Sequence, residues 1–343
     1  FYGISEAITG PRGFAVQMRR VLEGYTRPGD GMLTMRENGF RSRMKQLDQQ
    51  IADKVRAGGR VSAAEALVLY REAPTPLLGR LADEIRARKH PERIVTYIID
   101  RNVNYTNVCT ARCNFCAFYR PVGSSEGYVL GFDEIFRKID ETIAVGGNQL
   151  LLQGGHNPDL PIAWYEDLFR AVKARYPDFK LHALSPPEVL HISKVNQLPV
   201  PTVISRLVDA GLDSIPGGGA EILDDDVRQR ISRLKCSTQD WVDVHRTCHK
   251  VGLRTTATMM FGTGETIEQR MNHFDLVRQI QEDTGGFTAF IPWAFQRENT
   301  SLGRFVKEEA TAVEYLKMLA LSRVYLENIL NVQSSWVTPG LKS

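Results

Sequence analysis

Residues 103–116 read VNYTNVCTARCNFC, a short β-type apolar run that leads directly into a loop carrying three cysteines. The cysteines are spaced as Cys109-x3-Cys113-x2-Cys116. Three thiolates on one short loop can face a common point, and soft sulfur ligands favour zinc, copper(I) or an iron–sulfur cluster. Structural zinc needs a fourth ligand, for which His156 is a candidate, whereas a cluster held by three cysteines leaves one iron open to a small molecule. The motif therefore predicts a metal site and leaves the kind of metal open.

β-type runs and helix-period runs alternate from Ile94 onward. The predicted strands are Val103–Val108, Gln149–Gln153, Lys180–Leu184, Asp213–Ile215, Arg254–Phe261, Phe287–Ile291 and Val332–Trp336. The predicted helices are Phe132–Val145, Trp164–Tyr176, Thr202–Ala210, Thr238–Val251, Glu265–Thr284 and Glu308–Leu330. This alternation predicts an α/β fold with a parallel sheet. We expect a TIM-like (β/α) barrel whose eighth strand is truncated.

The chain divides into four predicted segments. Residues 1–47 are an unassigned extension whose apolar residues keep no clear period, and residues 48–93 form two or three short helices. Residues 94–337 form the barrel, and residues 338–343 are an atypical tail.

The composition excludes several classes of protein. With 43% hydrophobic and 24% charged residues among 343, the chain is typical of globular proteins and not of disordered or fibrous ones. A formal net charge of +3 is too small to predict a nucleic-acid partner. The sequence has neither an apolar stretch approaching the ~18 residues of a membrane helix nor a secretory signal. We therefore expect a cytoplasmic protein without a membrane partner.

The cysteine loop resembles that of the radical S-adenosylmethionine (SAM) superfamily, whose signature is Cys-x3-Cys-x-aromatic-Cys after the first strand of a partial or full barrel. The resemblance implies that Cys109, Cys113 and Cys116 hold a [4Fe-4S] cluster whose open iron binds S-adenosylmethionine, and that Phe115 lies beside the adenine. A reduced cluster of this kind passes one electron to the sulfonium and yields a 5′-deoxyadenosyl radical.

Further candidates follow the predicted strands, where the chemistry of parallel α/β folds collects. The segment from Gln153 through Gly154 and Gly155 to His156 resembles the family's Gly-Gly-Glu segment, which receives the methionine ammonium, with His156 in place of the usual glutamate. The other cofactor-binding candidates are Ser185 after the third strand and Glu221 after the fourth, where Glu221 could accept hydrogen bonds from a ribose or the ammonium. Glu265 lies in a segment that resembles the family's adenine-contacting segment. Both Glu221 and Glu265 can equally be interpreted as charged residues at helix starts.

Within the superfamily, the resemblance narrows to the group that makes menaquinone and deazaflavin precursors, over roughly residues 49–336. Residues 104–120, 152–158, 182–188 and 290–295 carry it. It is greatest to the enzymes that cyclise dehypoxanthine futalosine in the futalosine pathway of menaquinone biosynthesis. The alternatives are aminofutalosine synthase, a deazaflavin (FO) synthase subunit and, from a different class, a structural zinc-binding module.

The resemblance also implies a reaction. The radical takes the 4′ hydrogen of the substrate's ribose, and the resulting carbon radical adds to the benzoate ring, so that a base must accept a proton near the ring. His182 and Glu221 are the catalytic candidates, with Glu188 and His156 as alternatives, although a strand histidine is more often an ordinary core residue. The other expected participants are Arg297 or Arg120 at the substrate carboxylate, an apolar wall of Phe290, Trp293 and Phe295, and an external one-electron donor such as flavodoxin or ferredoxin.

Overall fold

The computed structural model describes residues 37–335, with side chains from Leu47 onward. The predictions for residues 1–36 and 336–343 lie outside the described residues. The described chain forms two compact units. The first comprises residues 37–93 and Leu316–Glu327, and the second comprises Ile94–Tyr315 and residues 328–335.

The first unit is helical. Its helices are α1 (Glu37–Arg56), α2 (Ala63–Glu72) and α3 (Thr75–Lys89), together with the later part of α11, whose bounds are given below. A capping box begins α2, because Ser62 Oγ accepts the Glu65 N–H while the Glu65 carboxylate accepts the Ser62 N–H. Three helices thus lie where the periodicity predicts two or three, and α1 begins before the predicted start of this segment. None of the helices in residues 37–335 is long and apolar enough to cross a membrane.

The second unit is built on one parallel sheet whose strands follow each other in chain order. The strands are β1 (Asp100–Asn104), β2 (Gln149–Gln153), β3 (Lys180–Ala183), β4 (Ser214–Ile215), β5 (Arg254–Phe261), β6 (Phe287–Ala294) and β7 (Asn331–Val332). The sheet curls into a half-barrel of the TIM-like type, which confirms the predicted fold class. Its edges within residues 37–335 are β1 and β7.

The observed strands differ from the predicted ones mainly at their ends. β2 and β5 have the predicted bounds, whereas the first strand was predicted at Val103–Val108 and lies at Asp100–Asn104. The reason is that Thr106 and Val108 leave the sheet and form isolated bridges with Val129 and Arg120 of their own loop.

Helices connect successive strands, as parallel pairing requires. They are α4 (Phe132–Ala144), α5 (Ile162–Arg175), α6 (Pro186–Asn196), α7 (Val200–Asp209), α8 (Asp225–Ser232), α9 (Thr238–Lys250), α10 (Ile267–Thr284) and α11 (Ala312–Tyr325). The sequence did not predict α6 or α8. Two prolines begin α6, and proline is tolerated there because the first N–H groups of a helix have no intrahelical partner.

The two faces of the sheet have different compositions, because side chains alternate along a strand. The face toward the helices is apolar and belongs to the buried core, with Val103, Leu150, Leu152, Leu181, Ala183 and Ile215. The opposite face lines the interior of the half-barrel and carries mostly polar side chains, among them Asn104, Gln153, His182 and Ser214. A polar interior directly below the cysteine loop indicates a binding site there.

Candidate active site

The loop after β1 carries Cys109, Cys113 and Cys116 in a tight turn. The Cys109 N–H donates to Arg120 O at 2.9 Å, and the Cys116 N–H donates to Cys113 O at 3.2 Å. Arg112 has a left-handed backbone (φ 48°), which is uncommon outside glycine. Cys113 is buried, whereas the other two cysteines are partly exposed.

Asn114, the residue after the second cysteine, connects this loop to two others. Its N–H donates to Ile231 O at 2.8 Å, and its side-chain amide donates to Arg230 O at 3.0 Å. Its carbonyl oxygen accepts from Leu302 N–H at 2.8 Å and from Ser301 Oγ at 3.0 Å. The cysteine loop is therefore held from both sides by segments that follow β4 and β6.

The three thiols are a donor set whose chemistry suits an iron–sulfur cluster. Among residues 37–335, no group of three or more His, Cys, Asp or Glu side chains is placed to hold one metal ion, whereas zinc needs its ligands about 2.0–2.3 Å from a single ion. In a cluster each thiolate binds a different iron, so the sulfurs lie farther apart. Burial raises the pKa of the Cys113 thiol to about 12. That thiol therefore keeps its proton unless a metal displaces it.

His156, the candidate fourth zinc ligand, forms no group of three or more ligating side chains with the loop cysteines. Its ring stacks on that of His191, with centroids 5.1 Å apart. Burial lowers the pKa of His156 to about 3, so the ring is neutral. Its backbone carbonyl accepts the Thr110 N–H at 3.1 Å, which ties the β2 loop to the cysteine loop.

The two glycines after β2 pack directly against the cysteine loop. The Gly155 N–H donates to Thr106 O at 2.9 Å. A Cβ on Gly155 would lie 2.2 Å from Val108 O and 2.9 Å from Cys109 Cβ, and a Cβ on Gly154 would lie 2.5 Å from the Tyr105 ring. Both positions require glycine, because the neighbouring segment 105–109 leaves no room for a side chain.

The glycine loop after β4 is packed just as tightly. A Cβ on Gly217 would lie 2.6 Å from Ala257 Cα, and a Cβ on Gly219 would lie 2.3 Å from Pro187 Cγ. These contacts pack the glycine loop against β5 and against the start of α6.

Glu221, which ends this loop, forms a buried ion pair with Lys235. Lys235 Nζ lies 2.7 Å from Glu221 Oε1 and 5.3 Å from the centre of the Phe115 ring. Burial alone would lower the pKa of Lys235, but the carboxylate of Glu221 raises it above its usual value. The lysine is therefore a permanent positive charge beside the cysteine loop.

Sequence reasoning missed Lys235 because it missed the helix before it. Arg228, in α8, is buried and donates to Gly219 O (3.0 Å), Ala220 O (2.7 Å) and Cys236 O (2.6 and 2.9 Å). Arg228 thus holds the glycine loop after β4 against the segment that contains Lys235 and Cys236. The signal was present in the run of aspartates at 224–226, since Asp224 caps the helix by accepting the Val227 N–H.

His182 lies on the interior face of β3. Its Nδ1 is 2.7 Å from Ser214 Oγ, and burial lowers its pKa to about 4, so the ring is neutral at pH 7. Gln153 Nε2 donates to Leu184 O at 3.4 Å, which links the ends of β2 and β3. Ser185, at the start of α6, donates to Glu188 at 2.5 Å. Leu184, between β3 and Ser185, has a left-handed backbone (φ 65°), a strained state typical of functional sites.

Glu265 is occupied by its own loop. Its carboxylate accepts the N–H groups of Gly262 and Thr263, both at 2.7 Å, and the Arg270 guanidinium at 2.7 Å. Burial alone would raise the pKa of Glu265, but Arg270 and the loop donors hold it below its usual value. The Glu265 carboxylate therefore stabilises its own loop.

The two arginines expected at a substrate carboxylate also make internal contacts. Arg120 pairs with Glu126 and donates to Tyr119 O at 3.1 Å. Arg297 donates to Lys307 O at 2.7 Å and to Gly303 O at 3.3 Å. Both guanidinium groups therefore stabilise loops.

One residue of the expected aromatic wall, Phe290, lies away from the interior of the half-barrel. Phe290 is fully buried and packs on Phe274, with ring centroids 5.5 Å apart, on the helix side of the sheet. Phe295 is also buried. Trp293, paired with Met260 of β5, stays partly exposed.

Comparison with protein families agrees with this arrangement. Residues 103–277 match the Radical SAM superfamily, and residues 284–343 match the CofH/MqnC C-terminal region. The first match spans the sheet from β1 through β5 and includes all three loop cysteines.

Three curated relatives are similar over most of the chain. Cyclic dehypoxanthine futalosine synthase of Halalkalibacterium halodurans is 48% identical over 84% of this chain and 78% of its own length. The protein of the same name from Streptomyces coelicolor is 44% identical over 85% and 73%. Aminodeoxyfutalosine synthase of Thermus thermophilus is 41% identical over 84% and 78%.

Among solved structures, methylornithine synthase (PylB) has a similar fold. The TM-score is 0.66, with 16% identity, over 85% of this chain and 80% of that one. At this identity the likeness concerns the fold alone.

Proposed function

The chain belongs to the radical SAM superfamily as one of its enzymes, and from this premise we propose that it cyclises dehypoxanthine futalosine to cyclic dehypoxanthine futalosine. The observation that carries the proposal is the 48% and 44% identity to two relatives of that activity, against 41% for aminodeoxyfutalosine synthase. The product belongs to the futalosine pathway of menaquinone biosynthesis. The reaction begins with removal of the 4′ hydrogen from the substrate's ribose.

The proposed cofactors are a [4Fe-4S] cluster and S-adenosylmethionine. Cys109, Cys113 and Cys116 would hold the cluster through three thiolates, as the chemistry of this donor set allows. When bound, the two cofactors supply one electron and a 5′-deoxyadenosyl radical for hydrogen abstraction.

The surface beside the cysteines would hold S-adenosylmethionine. We assign to it Phe115, Gln153, Gly154, Gly155, Ser185 and Glu221. Lys235 joins this set because its ammonium lies 2.7 Å from Glu221 and faces the Phe115 ring. Charges of both signs in one enclosed place suit a ligand that carries an ammonium and a carboxylate.

His182 is the proposed proton acceptor. It lies on the interior face of the half-barrel and is neutral, because burial lowers its pKa to about 4. In the proposed tautomer Nδ1–H donates to Ser214 Oγ at 2.7 Å, and the lone pair on Nε2 accepts the proton. Glu221 is less suited to this role, since Lys235 neutralises it.

The proposed partners are this small-molecule substrate and an external one-electron donor of the flavodoxin or ferredoxin class. The polar interior face of β1 to β4 supports a polar, ribose-containing substrate.

The decisive experiment compares three substrates. Anaerobically reconstituted protein, reduced with dithionite, is incubated with S-adenosylmethionine and, in turn, dehypoxanthine futalosine, the enolpyruvyl benzoate substrate of aminofutalosine synthase, and tyrosine. We expect a cyclised product, identified by mass, and 5′-deoxyadenosine formation faster than the rate without a second substrate, only with the first. Coupled 5′-deoxyadenosine formation with either of the others alone would refute the assignment.

A further inference from the structure

We propose that Glu188 is a positioning residue that holds the ends of the first three strands in place and thereby shapes the S-adenosylmethionine surface. The inference rests on the cofactor site proposed above, but not on the identity of the second substrate. Glu188 acts through hydrogen bonds to its neighbours and not as a reacting group.

Glu188 lies in the first turn of α6, a helix that was not among the predicted ones. Ser185-Pro186-Pro187-Glu188 has the S-x-x-E pattern of a capping box, in which the serine and the glutamate satisfy backbone N–H groups of the first turn. In the structure Ser185 occupies the N-cap position of α6 without a side-chain capping bond. Both side chains are directed to each other instead, since Ser185 Oγ donates to Glu188 Oε2 at 2.5 Å.

The carboxylate of Glu188 points into the protein and collects three donors. Besides Ser185, Oε1 accepts the Tyr105 hydroxyl at 2.8 Å and the Gly154 N–H at 2.9 Å. The residue is only 3% exposed, whereas a glutamate in the first turn of a helix is usually solvated. A carboxylate buried this deeply is stable only when such donors satisfy it.

Each of the three donors follows a different strand. Tyr105 directly follows β1, Gly154 directly follows β2, and Ser185 follows β3 by one intervening residue. Glu188 is therefore one acceptor that joins three consecutive strand ends. No sheet hydrogen bond does this, because the ladder joins strands only in pairs.

The position of these strand ends determines the cofactor surface. Gly155, next to Gly154, contacts the cysteine loop so closely that a Cβ would lie 2.9 Å from Cys109 Cβ. Movement of Gly154 would therefore displace both the proposed ammonium-binding backbone and the first cluster ligand. Tyr105 also fills the space beside Gly154, where a Cβ would meet its ring at 2.5 Å.

Variants of Glu188 test this by separating binding of S-adenosylmethionine from the chemical step. The full chain is reconstituted anaerobically, and the rate of 5′-deoxyadenosine formation with dithionite, without second substrate, is measured against S-adenosylmethionine concentration. For Glu188→Ala we expect KM for S-adenosylmethionine to rise about tenfold or more, because buried donors lose their acceptor, with kcat within about threefold of wild type. Iron content should remain normal, and the change that S-adenosylmethionine causes in the EPR signal of the reduced cluster should require correspondingly more ligand.

Glu188→Gln is the conservative control. Its amide oxygen can still accept from Tyr105 and Gly154, and its NH2 group can donate to Ser185 Oγ, so we expect KM within about threefold of wild type. If Glu188→Ala does not fold, Tyr105→Phe removes one donor outside the proposed S-adenosylmethionine surface and should raise KM by a smaller factor.

Three results would overturn the proposal. The first is an unchanged KM in the folded variants. The second is a loss of kcat at saturating S-adenosylmethionine with normal KM, which would make Glu188 a reacting group. The third is a Glu188→Gln variant as impaired as Glu188→Ala, which would mean that charge and not hydrogen-bond geometry is needed. Wild-type 5′-deoxyadenosine formation without second substrate keeps this test separate from failure of the proposed cyclisation.

Discussion

Replacing Lys235 by methionine tests how much the buried ion pair with Glu221 stabilises the site. The two side chains are 15% and 5% exposed, with Nζ 2.7 Å from Oε1. Removing one member of such a pair leaves the other charge buried without compensation, which costs about 3–5 kcal/mol. The contact of the ammonium with the Phe115 ring, worth about 0.5–2 kcal/mol, is lost as well. Together the two losses should lower the free energy of unfolding of K235M by about 3.5–7 kcal/mol.

A double-mutant cycle with E221Q isolates the pair. Because K235M/E221Q buries no unpaired charge, the double variant should lose about 2 kcal/mol less than the sum of the two single losses. The matched control is R246M, which breaks the Arg246–Asp283 pair on the surface, where the side chains are 41% and 43% exposed. That variant should lose less than about 1 kcal/mol.

The assay is urea unfolding of the anaerobic, cluster-loaded protein, followed by far-ultraviolet circular dichroism. The reasoning fails if K235M is as mild as R246M, or if the single losses simply add in the double variant. Either result would mean that water reaches the pair and screens its charges.

Three further predictions concern the cluster, the glycines and acid stability. Cys113→Ala should lose iron, sulfide and the brown colour, whereas Cys248→Ala, a buried cysteine in α9, should retain them; a C113A protein with normal iron content would contradict the cluster assignment. Gly155→Ala should lower the thermal unfolding midpoint, because its Cβ would lie 2.2 Å from Val108 O. In the control Gly79→Ala, in α3, the added Cβ meets nothing within 4 Å, and stability should rise by about 0.5–1 kcal/mol. Equal unfolding midpoints for the two variants would refute this. Burial lowers the pKa of six histidines below 6.5, so the unfolded chain gains protons first. Stability, complete above about pH 6.5, therefore falls by about 1 kcal/mol for each fully buried histidine down to about pH 5.5. The six are His156, His182, His191, His245, His249 and His273. Urea unfolding at several pH values measures this, and a midpoint independent of pH would contradict it.

Much of the fold could be predicted because it depends on local pattern. β2 and β5 have the bounds that their apolar runs predict, and α4 differs from its prediction by a single residue at its end. The cysteine motif is likewise local, since three ligands lie within one short loop. Family membership follows from that motif and from the alternation of strands and helices.

The predictions failed where a local pattern has two structural outcomes. Two prolines at the start of α6 resemble a loop, and the aspartates at the start of α8 resemble a charged turn, yet both are helix starts. Phe290 and Trp293 lie in one aromatic run, but the sheet directs Phe290 to the helices and leaves Trp293 partly exposed.

The kind of chemistry follows from local sequence, because metal-ligand spacing and strand–helix alternation are properties of neighbouring residues. Which charged groups meet depends on how the chain folds. Glu188 accepts from Tyr105, 83 positions away, and Lys235 pairs with Glu221 across the α8 helix. Such contacts depend on how closely distant strand ends pack, which glycines 154, 155, 217 and 219 allow through the absence of a Cβ. No pattern of neighbouring residues contains that information, because burial and distance exist only once the sheet has formed.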